Sequence, residues 1–281
     1  MGKTFEGIPF IGTFKDLPDV LKTHKFDRVV IAIPLKYYYR IDEVVESCER
    51  VGIKAEIIPD YIRYFPAQPS VDMIEDIPII NIRYVPLDDN FNKFLKYTSD
   101  YIISIIAIII TSPIMLITAI AIKLTSPGPI IFKQERMGYN GKTFMMYKFR
   151  SMKVQDPSEE KSEWTTPDDP RKTRIGDLIR KTSIDELPQF FNVLKGDMSV
   201  VGPRPERPFF VEQFRETIPK YMVKHQVKPG LTGWAQIHGC RGDTSIKKRI
   251  EYDIEYVENW HLGLDLAIMI KTALKRNPNA Y

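Results

Sequence analysis

Two adjacent carboxylates, Asp185 and Glu186, lie between basic residues: Arg180 and Lys181 before them, and Gly202-Pro203-Arg204-Pro205-Glu206-Arg207 after. An arginine with proline on both sides is carried on a stiff backbone, and a fixed planar guanidinium suits two-pronged recognition of a phosphate. An exposed arginine in a rigid surface turn is the plainer alternative. Pro188 helps to place the acids. With Ser183 as a helix N-cap, Pro188 would fall at the fifth helical position, where an N–H is needed. With Asp185 near the cap it lies in the first turn, where its missing donor costs little. The spacing therefore predicts a helix from about Asp185 to Lys195, stopped by Gly196. The pair then sits at a helix N-terminus, whose partial positive charge keeps carboxylates ionised and can receive a phosphate. A capping acid beside a solvated acid is the plainer reading of the pair alone; the flanking arginines favour anion chemistry.

Downstream, Lys228-Pro229-Gly230-Leu231-Thr232-Gly233-Trp234 is a glycine-rich loop leading to His238-Gly239-Cys240-Arg241. Small residues let a ligand approach the backbone. Trp234 could stack on a base, although core or interface packing is the commoner use of a tryptophan. The two cysteines, Cys48 and Cys240, stand far apart and the four histidines are scattered, so neither a disulfide framework nor a zinc site is expected. The net charge of +4 fits anionic ligands without demanding them. Carboxylates interleave with the cations, which argues against a nucleic-acid surface.

These residues need positioning elements. Residues 101–122 read YIISIIAIIITSPIMLITAIAI and carry no charge. As one helix the run spans roughly 33 Å at 1.5 Å per residue, enough for a bilayer core of about 30 Å. Ser112-Pro113 at its middle predicts a break: proline removes an N–H, and the serine hydroxyl can bond a freed carbonyl. Pattern alone leaves open a kinked spanning helix or a hairpin that leaves by the face it entered. Lysines on both flanks give no orientation bias. Next, 130–136 and 144–149 read as strands around the turn Tyr139-Asn140-Gly141-Lys142, and Ile175 to Lys181 as a short helix. Ile250 to Leu274 reads as one helix suited to a membrane interface or to packing on the core.

Residues 1–75 read as a partial α/β module. A strand near 27–33, a helix over 41–51 stopped by Gly52 and a strand near 54–58 make a βαβ unit, without the G-x-G-x-x-G of a dinucleotide site. Residues 76–92 read as a linker and 93–281 as a second domain, its membrane helix near 100–123.

Residues from about 91 to 281 resemble the bacterial sugar transferases, the monotopic phosphoglycosyl transferases. The matching stretches are Ser112-Pro113, KFRSM (148–152), RKTSIDELPQFFNVLKGDMSVVGPRPE (180–206) and KPGLTGWAQIHG (228–239). Several long motifs in one order make the resemblance specific. It implies an α/β, Rossmann-like N-terminal fragment and a mainly α, monotopic membrane catalytic domain with a re-entrant helix and a small β-hairpin. It further implies transfer of a hexose-1-phosphate from a UDP-sugar to polyprenyl phosphate, releasing UMP, as the first membrane step of exopolysaccharide, capsule or O-antigen synthesis. By this likeness Asp185 is the nucleophile, and Glu186 assists with magnesium, the two acids being the metal-side residues. Lys148, Arg150, Arg180, Arg204 and Arg241 supply phosphate-binding charge. The expected setting is the cytosolic face of the bacterial inner membrane, among membrane lipid; a homodimer stays open. Glucose or galactose is the expected sugar, though no residue reads it. Large relatives carry further membrane helices upstream, so the sequence fits either a piece of a longer protein or a short natural form. The competing class is a non-catalytic membrane-anchored regulatory or scaffold protein, which leaves the motif-rich region 180–241 idle.

Overall fold

The computed structural model describes residues 4–60, 70–81, 83–153, 173–240 and 245–274, and contacts divide the chain at Arg83/Tyr84. The first unit begins with two short paired strands, β1 (Thr4–Phe5) and β2 (Ile8–Pro9), and helix α1 (Leu17–Thr23). The expected βαβ unit follows as β3 (Arg28–Ile31), α2 (Ile41–Glu49) and β4 (Lys54–Ile57), with β3 and β4 parallel from Arg28↔Lys54 to Ile31↔Ile57. Apolar residues at helical spacing bury Val44 and Cys48 against Leu21, Ile31 and Ile33. Gly52 takes the left-handed conformation just past the helix (φ 71°). β5 (Ser70–Ile74) and β6 (Ile77–Asn81) close this unit as an antiparallel hairpin, within which 76–81 of the expected linker fall.

The second unit is organised around α3 (Asn90–Thr125), whose N-cap Asp89 accepts from the Asn92 N–H at 2.9 Å. Just before it, Val85 and Leu87 are buried in the main core of this unit. α3 is long and apolar enough to cross a membrane, and only 11% of its most apolar stretch is buried, unlike the core helix of a soluble protein. The chain stays helical through Pro113. Proline at 113 takes the N–H away from the Ile109 carbonyl, and Ser112 Oγ donates to that oxygen at 2.9 Å, as the sequence suggested.

The base of α3 is tied into the unit by charge. Lys96 Nζ sits 2.6 Å from Asp265 and 3.3 Å from Asp100, and donates to the Val201 carbonyl at 3.0 Å. The Val200 N–H donates to Asp100 at 3.1 Å, while Tyr256 and Trp260 donate to Asp265 at 2.9 and 3.2 Å. Lys96, Asp100 and Asp265 are all buried.

Beyond α3, β7 (Ile131–Met137) and β8 (Thr143–Phe149) form the expected hairpin, with Asn140 and Gly141 both at positive φ in its turn. Then come α4 (Arg174–Lys181), α5 (Gln189–Lys195), β9 (Ser199–Val201), α6 (Pro208–Thr217), β10 (Gly230–Thr232), α7 (Trp234–Ile237), α8 (Ile246–Glu258) and α9 (Leu262–Leu274). β9 and β10 pair in parallel.

Two expectations need correction. The single helix over Ile250 to Leu274 is two helices broken at 259–261. There His261 Nδ1 accepts from the Leu264 N–H at 3.1 Å and Trp260 turns inward to Asp265. New caps and a buried hydrogen bond outweigh the sequence's unbroken helical pattern. The helix expected from Asp185 begins later, at Gln189, with Pro188 at its N-cap. Asp185 and Glu186 lie in a preceding 3₁₀ turn, Ile184–Glu186, entered through Ser183 at φ 57°. The left-handed residue at 183 reverses the chain and separates the acids from the helix. Gly196 stops α5 as expected (φ 85°).

Candidate active site

The turn bearing the acids rests on an apolar cluster. Ile184 and Leu187 on either side of the pair pack with Ile122 from the end of α3, Phe149 from β8 and Ile179 from α4. Side chains alternate along β8, so burying Phe149 turns Lys148 to the other face. There Lys148 Nζ donates to Glu186 Oε1 at 2.8 Å. Arg204 Nη2 lies 3.6 Å from the same oxygen, and Arg180 closes the last turn of α4 near Asp185.

Asp185 is 7% exposed, and among the described residues no donor hydrogen-bonds its carboxylate. Burial is the main force raising its pKa, to about 6. Lys148 opposes the rise, the neighbouring Glu186 charge adds to it, and Arg180 and Arg204 pull it back. Near neutral pH this carboxylate is ionised, poorly solvated and more basic than an ordinary aspartate.

Arg204 is presented by a turn with little freedom. The Gly202 N–H donates to the Thr232 carbonyl at 2.8 Å, and the Gly230 N–H to the Pro203 carbonyl at 2.9 Å. A Cβ on Gly202 would come within 2.5 Å of the Lys228 carbonyl, and one on Gly230 within 2.1 Å of the Gly202 nitrogen. The glycine-rich loop thus needs its small residues to admit a second backbone, the one carrying Arg204, and not a ligand. Trp234 packs against the main core and lies edge-on to His238, with ring centres 4.3 Å apart, so its face is engaged by protein.

Glu206 points away from the acid pair into a buried cluster. Tyr221 and Lys224 donate to its Oε2, the lysine at 2.9 Å, and Arg249 to its Oε1 at 3.1 Å. Burial alone would raise its pKa, but Lys224, the Tyr221 hydrogen bond and Arg249 outweigh it and hold the carboxyl down at about 2.

The structure therefore brings together Asp185, Glu186, Lys148, Arg180 and Arg204. Arg150 is placed elsewhere: its guanidinium donates to the Ser126 and Pro127 carbonyls at 2.8 Å each, bracing the turn that leaves α3. Arg241 lies outside the described residues. No sequence motif marks Arg136, at the end of β7, yet its charge bears on Arg204 and Glu186. The available signal was its spacing from Gln134, two polar residues on one face of a short strand.

Among the described residues no group of three or more histidine, cysteine or acidic side chains forms a metal cage. Two carboxylates on one turn fit the protein's half of a magnesium shell, which is ordinarily completed by substrate phosphates and water.

The unit thus joins a buried, basic carboxylate among cations to an uncovered apolar helix. The chain belongs to the bacterial sugar transferase family, whose model matches residues 91–277. Residues 1–59 match the model described as a CoA-binding domain. The chain is 39% identical over 275 residues to a UDP-glucose:undecaprenyl-phosphate glucose-1-phosphate transferase of Xanthomonas campestris pv. campestris, covering 96% of this chain and 57% of that protein. An Escherichia coli (strain K12) protein of the same name is 38% identical over 268 residues, covering 94% and 57%. A UDP-N-acetylgalactosamine-undecaprenyl-phosphate N-acetylgalactosaminephosphotransferase of Aeromonas hydrophila is 50% identical over 181 residues, covering 64% and 43%. The chain thus spans less than two thirds of the length of each of these relatives.

Proposed function

We propose that this chain transfers a sugar-1-phosphate from a UDP-sugar to polyprenyl phosphate and releases UMP, in two displacements at phosphorus. In the first, an Asp185 carboxylate oxygen attacks the sugar-bearing phosphorus; the new P–O bond forms as the bond to UMP breaks, leaving an aspartyl phospho-sugar. In the second, a phosphate oxygen of the polyprenyl carrier attacks the same phosphorus and Asp185 leaves. Each step forms one P–O bond and breaks one, and a soluble donor and a lipid acceptor use the site in turn. The observation that carries this reading is the Asp185 carboxylate, buried, without a hydrogen-bond donor among the described residues and raised in basicity, beside Lys148, Arg180 and Arg204.

A carboxylate approaching a phosphodiester meets like charge, and fixed cations lower that barrier. Lys148 and Arg204 hold Glu186 in place, and the arginines meet the diphosphate oxygens. Asp185 and Glu186 are the residues that would hold magnesium, which supplies positive charge to the diphosphate. Naming of the relatives for undecaprenyl phosphate supports the lipid acceptor, and their naming for glucose and N-acetylgalactosamine supports a hexose donor. The βαβ unit and the CoA-binding match support a Rossmann-like N-terminal module.

In this reading α3 is re-entrant about Ser112-Pro113, and both its ends lie at the cytosolic face of the bacterial inner membrane. The product feeds polysaccharide synthesis as its first membrane-bound intermediate. Ile122 beneath the acid-bearing turn favours that placement, because it joins the reacting carboxylate to the end of the apolar helix. The test is intact-protein mass measurement after mixing with UDP-glucose without acceptor. A mass gain of one hexose phosphate with UMP in solution is expected. No gain with any UDP-hexose, in protein that does bind UDP, removes the covalent step.

A further inference from the structure

Arg136 is a half-buried cation that the site described above does not use. Its Nη2 donates to Gln134 Oε1 at 2.6 Å and its Nη1 to the Pro205 carbonyl at 3.3 Å. Its Nε is buried without a hydrogen-bond partner. Two residues of the same strand end grip the arginine-bearing turn, because the Met137 N–H also donates to the Glu206 carbonyl at 2.9 Å. Among the described residues no carboxylate lies within ion-pair distance of Arg136; Glu186 pairs with Lys148 and Arg204, and Glu206 with Lys224 and Arg249. Burial, then the charges of Arg204 and Arg207, pulls its pKa down to about 10, leaving it fully protonated near neutrality.

Glu206 and Glu186 offset those arginine charges in part, but a half-buried cation with no acid in ion-pair reach is still unfavourable by itself. Folding tolerates it where the missing counter-charge arrives with a ligand, which makes an anion-binding role the economical account of the geometry. A purely mechanical peg between β7 and the Pro203-Arg204-Pro205 turn needs two hydrogen bonds, which an uncharged side chain could supply without that penalty.

We infer that Arg136 is a positioning residue for the donor diphosphate, fixing the Arg204 turn through the Pro205 carbonyl and adding a positive charge behind Arg204 and Glu186. The inference rests on the reading of the site as one for nucleotide-diphosphate sugars, and deepens it by assigning a residue outside the matched motifs. Removal of the charge weakens diphosphate binding. Lysine keeps the charge and loses the fork.

The test is equilibrium binding of UDP to the detergent-solubilised full chain by titration calorimetry. Expected are a dissociation constant raised about tenfold or more in Arg136→Met and a value within a few-fold of the starting protein in Arg136→Lys. Gln134→Leu, which leaves the charge but frees the side chain, gives an intermediate loss and a second route should Arg136→Met fold poorly. Binding by Arg136→Met equal to that of the starting protein, or equal losses in the methionine and lysine variants, overturns the charge role and leaves the transferase reading intact. Absence of UDP binding in the starting protein overturns both.

Discussion

Asp185 and Glu206 are both buried carboxylates, 7% and 3% exposed, on either side of the turn that carries Arg204. Their pKa values move in opposite directions, Asp185 up to about 6 and Glu206 down to about 2. Glu206 receives hydrogen bonds from Tyr221, Lys224 and Arg249, whereas Asp185 receives none among the described residues. Both have cations close by, so proximity of positive charge does not separate them. Direct donors do: burial with donors locks a carboxylate into its ionised form, and burial without them leaves it basic and reactive. One acid organises the structure, and the other is the nucleophile of the proposed reaction.

Replacement at each acid separates the two roles most sharply. Asp185→Asn should lower sugar-phosphate transfer by at least about 10³-fold and abolish the mass adduct, with a melting temperature unchanged or raised, since it removes a carboxylate that burial disfavours. A transfer rate within tenfold of the starting protein would break the contrast at its reactive end. Glu206→Gln should do the reverse of a catalytic lesion. It strands Lys224 and Arg249 in the interior and lowers unfolding stability by about 3 kcal/mol, the low end of the range for a broken buried pair. The reason for the low end is Asp253: burial and the Glu206 charge hold its pKa up at about 7, and with that charge gone it ionises more readily and takes over part of the pairing. Chemical denaturation measures this, and an unchanged midpoint would make the cluster dispensable.

A third and smaller effect lies in pH. Transfer should rise with pH through about 6 as Asp185 loses its proton, and then level off. The two acids contribute opposite slopes to stability. Asp185, raised above its unfolded value, contributes a loss of stability as pH rises from about 4 to about 6. Glu206, depressed, contributes stability that is present above its unfolded value and disappears as pH falls through about 2. An acid limb of the rate profile near pH 4 would mean that Asp185 is solvated in the working enzyme.

This contrast could be read from the sequence only in part. Local signals carried well: the βαβ periodicity of residues 28–57, the Asn140-Gly141 turn, α4 and the Gly196 stop all follow from neighbours a few residues apart. The same holds for gathering Asp185, Glu186, Arg180 and Arg204 into one cluster, because they lie in two nearby motifs. What failed depends on contacts between distant segments. The acids were expected at a helix N-terminus, and Ser183 at positive φ moved them into a separate turn. The loop from Lys228 to Trp234 invited a ligand, and its glycines meet the Gly202 backbone instead. Arg136 reaches the site from a hairpin with no motif of its own. Whether a buried acid meets donors is decided by residues far along the chain, as Tyr221, Lys224 and Arg249 show for Glu206.

The lysine at the foot of the long apolar helix carries a mechanical consequence. Lys96 is held by Asp100 on its own helix and by Asp265 and the Val201 carbonyl outside it. Tilting or sliding the lower end of that helix would pull a buried ammonium away from Asp265. The foot of the helix is thereby clamped, and in the membrane setting proposed above any adjustment to bilayer thickness falls to the stretch near Pro113, where the backbone lacks one hydrogen bond.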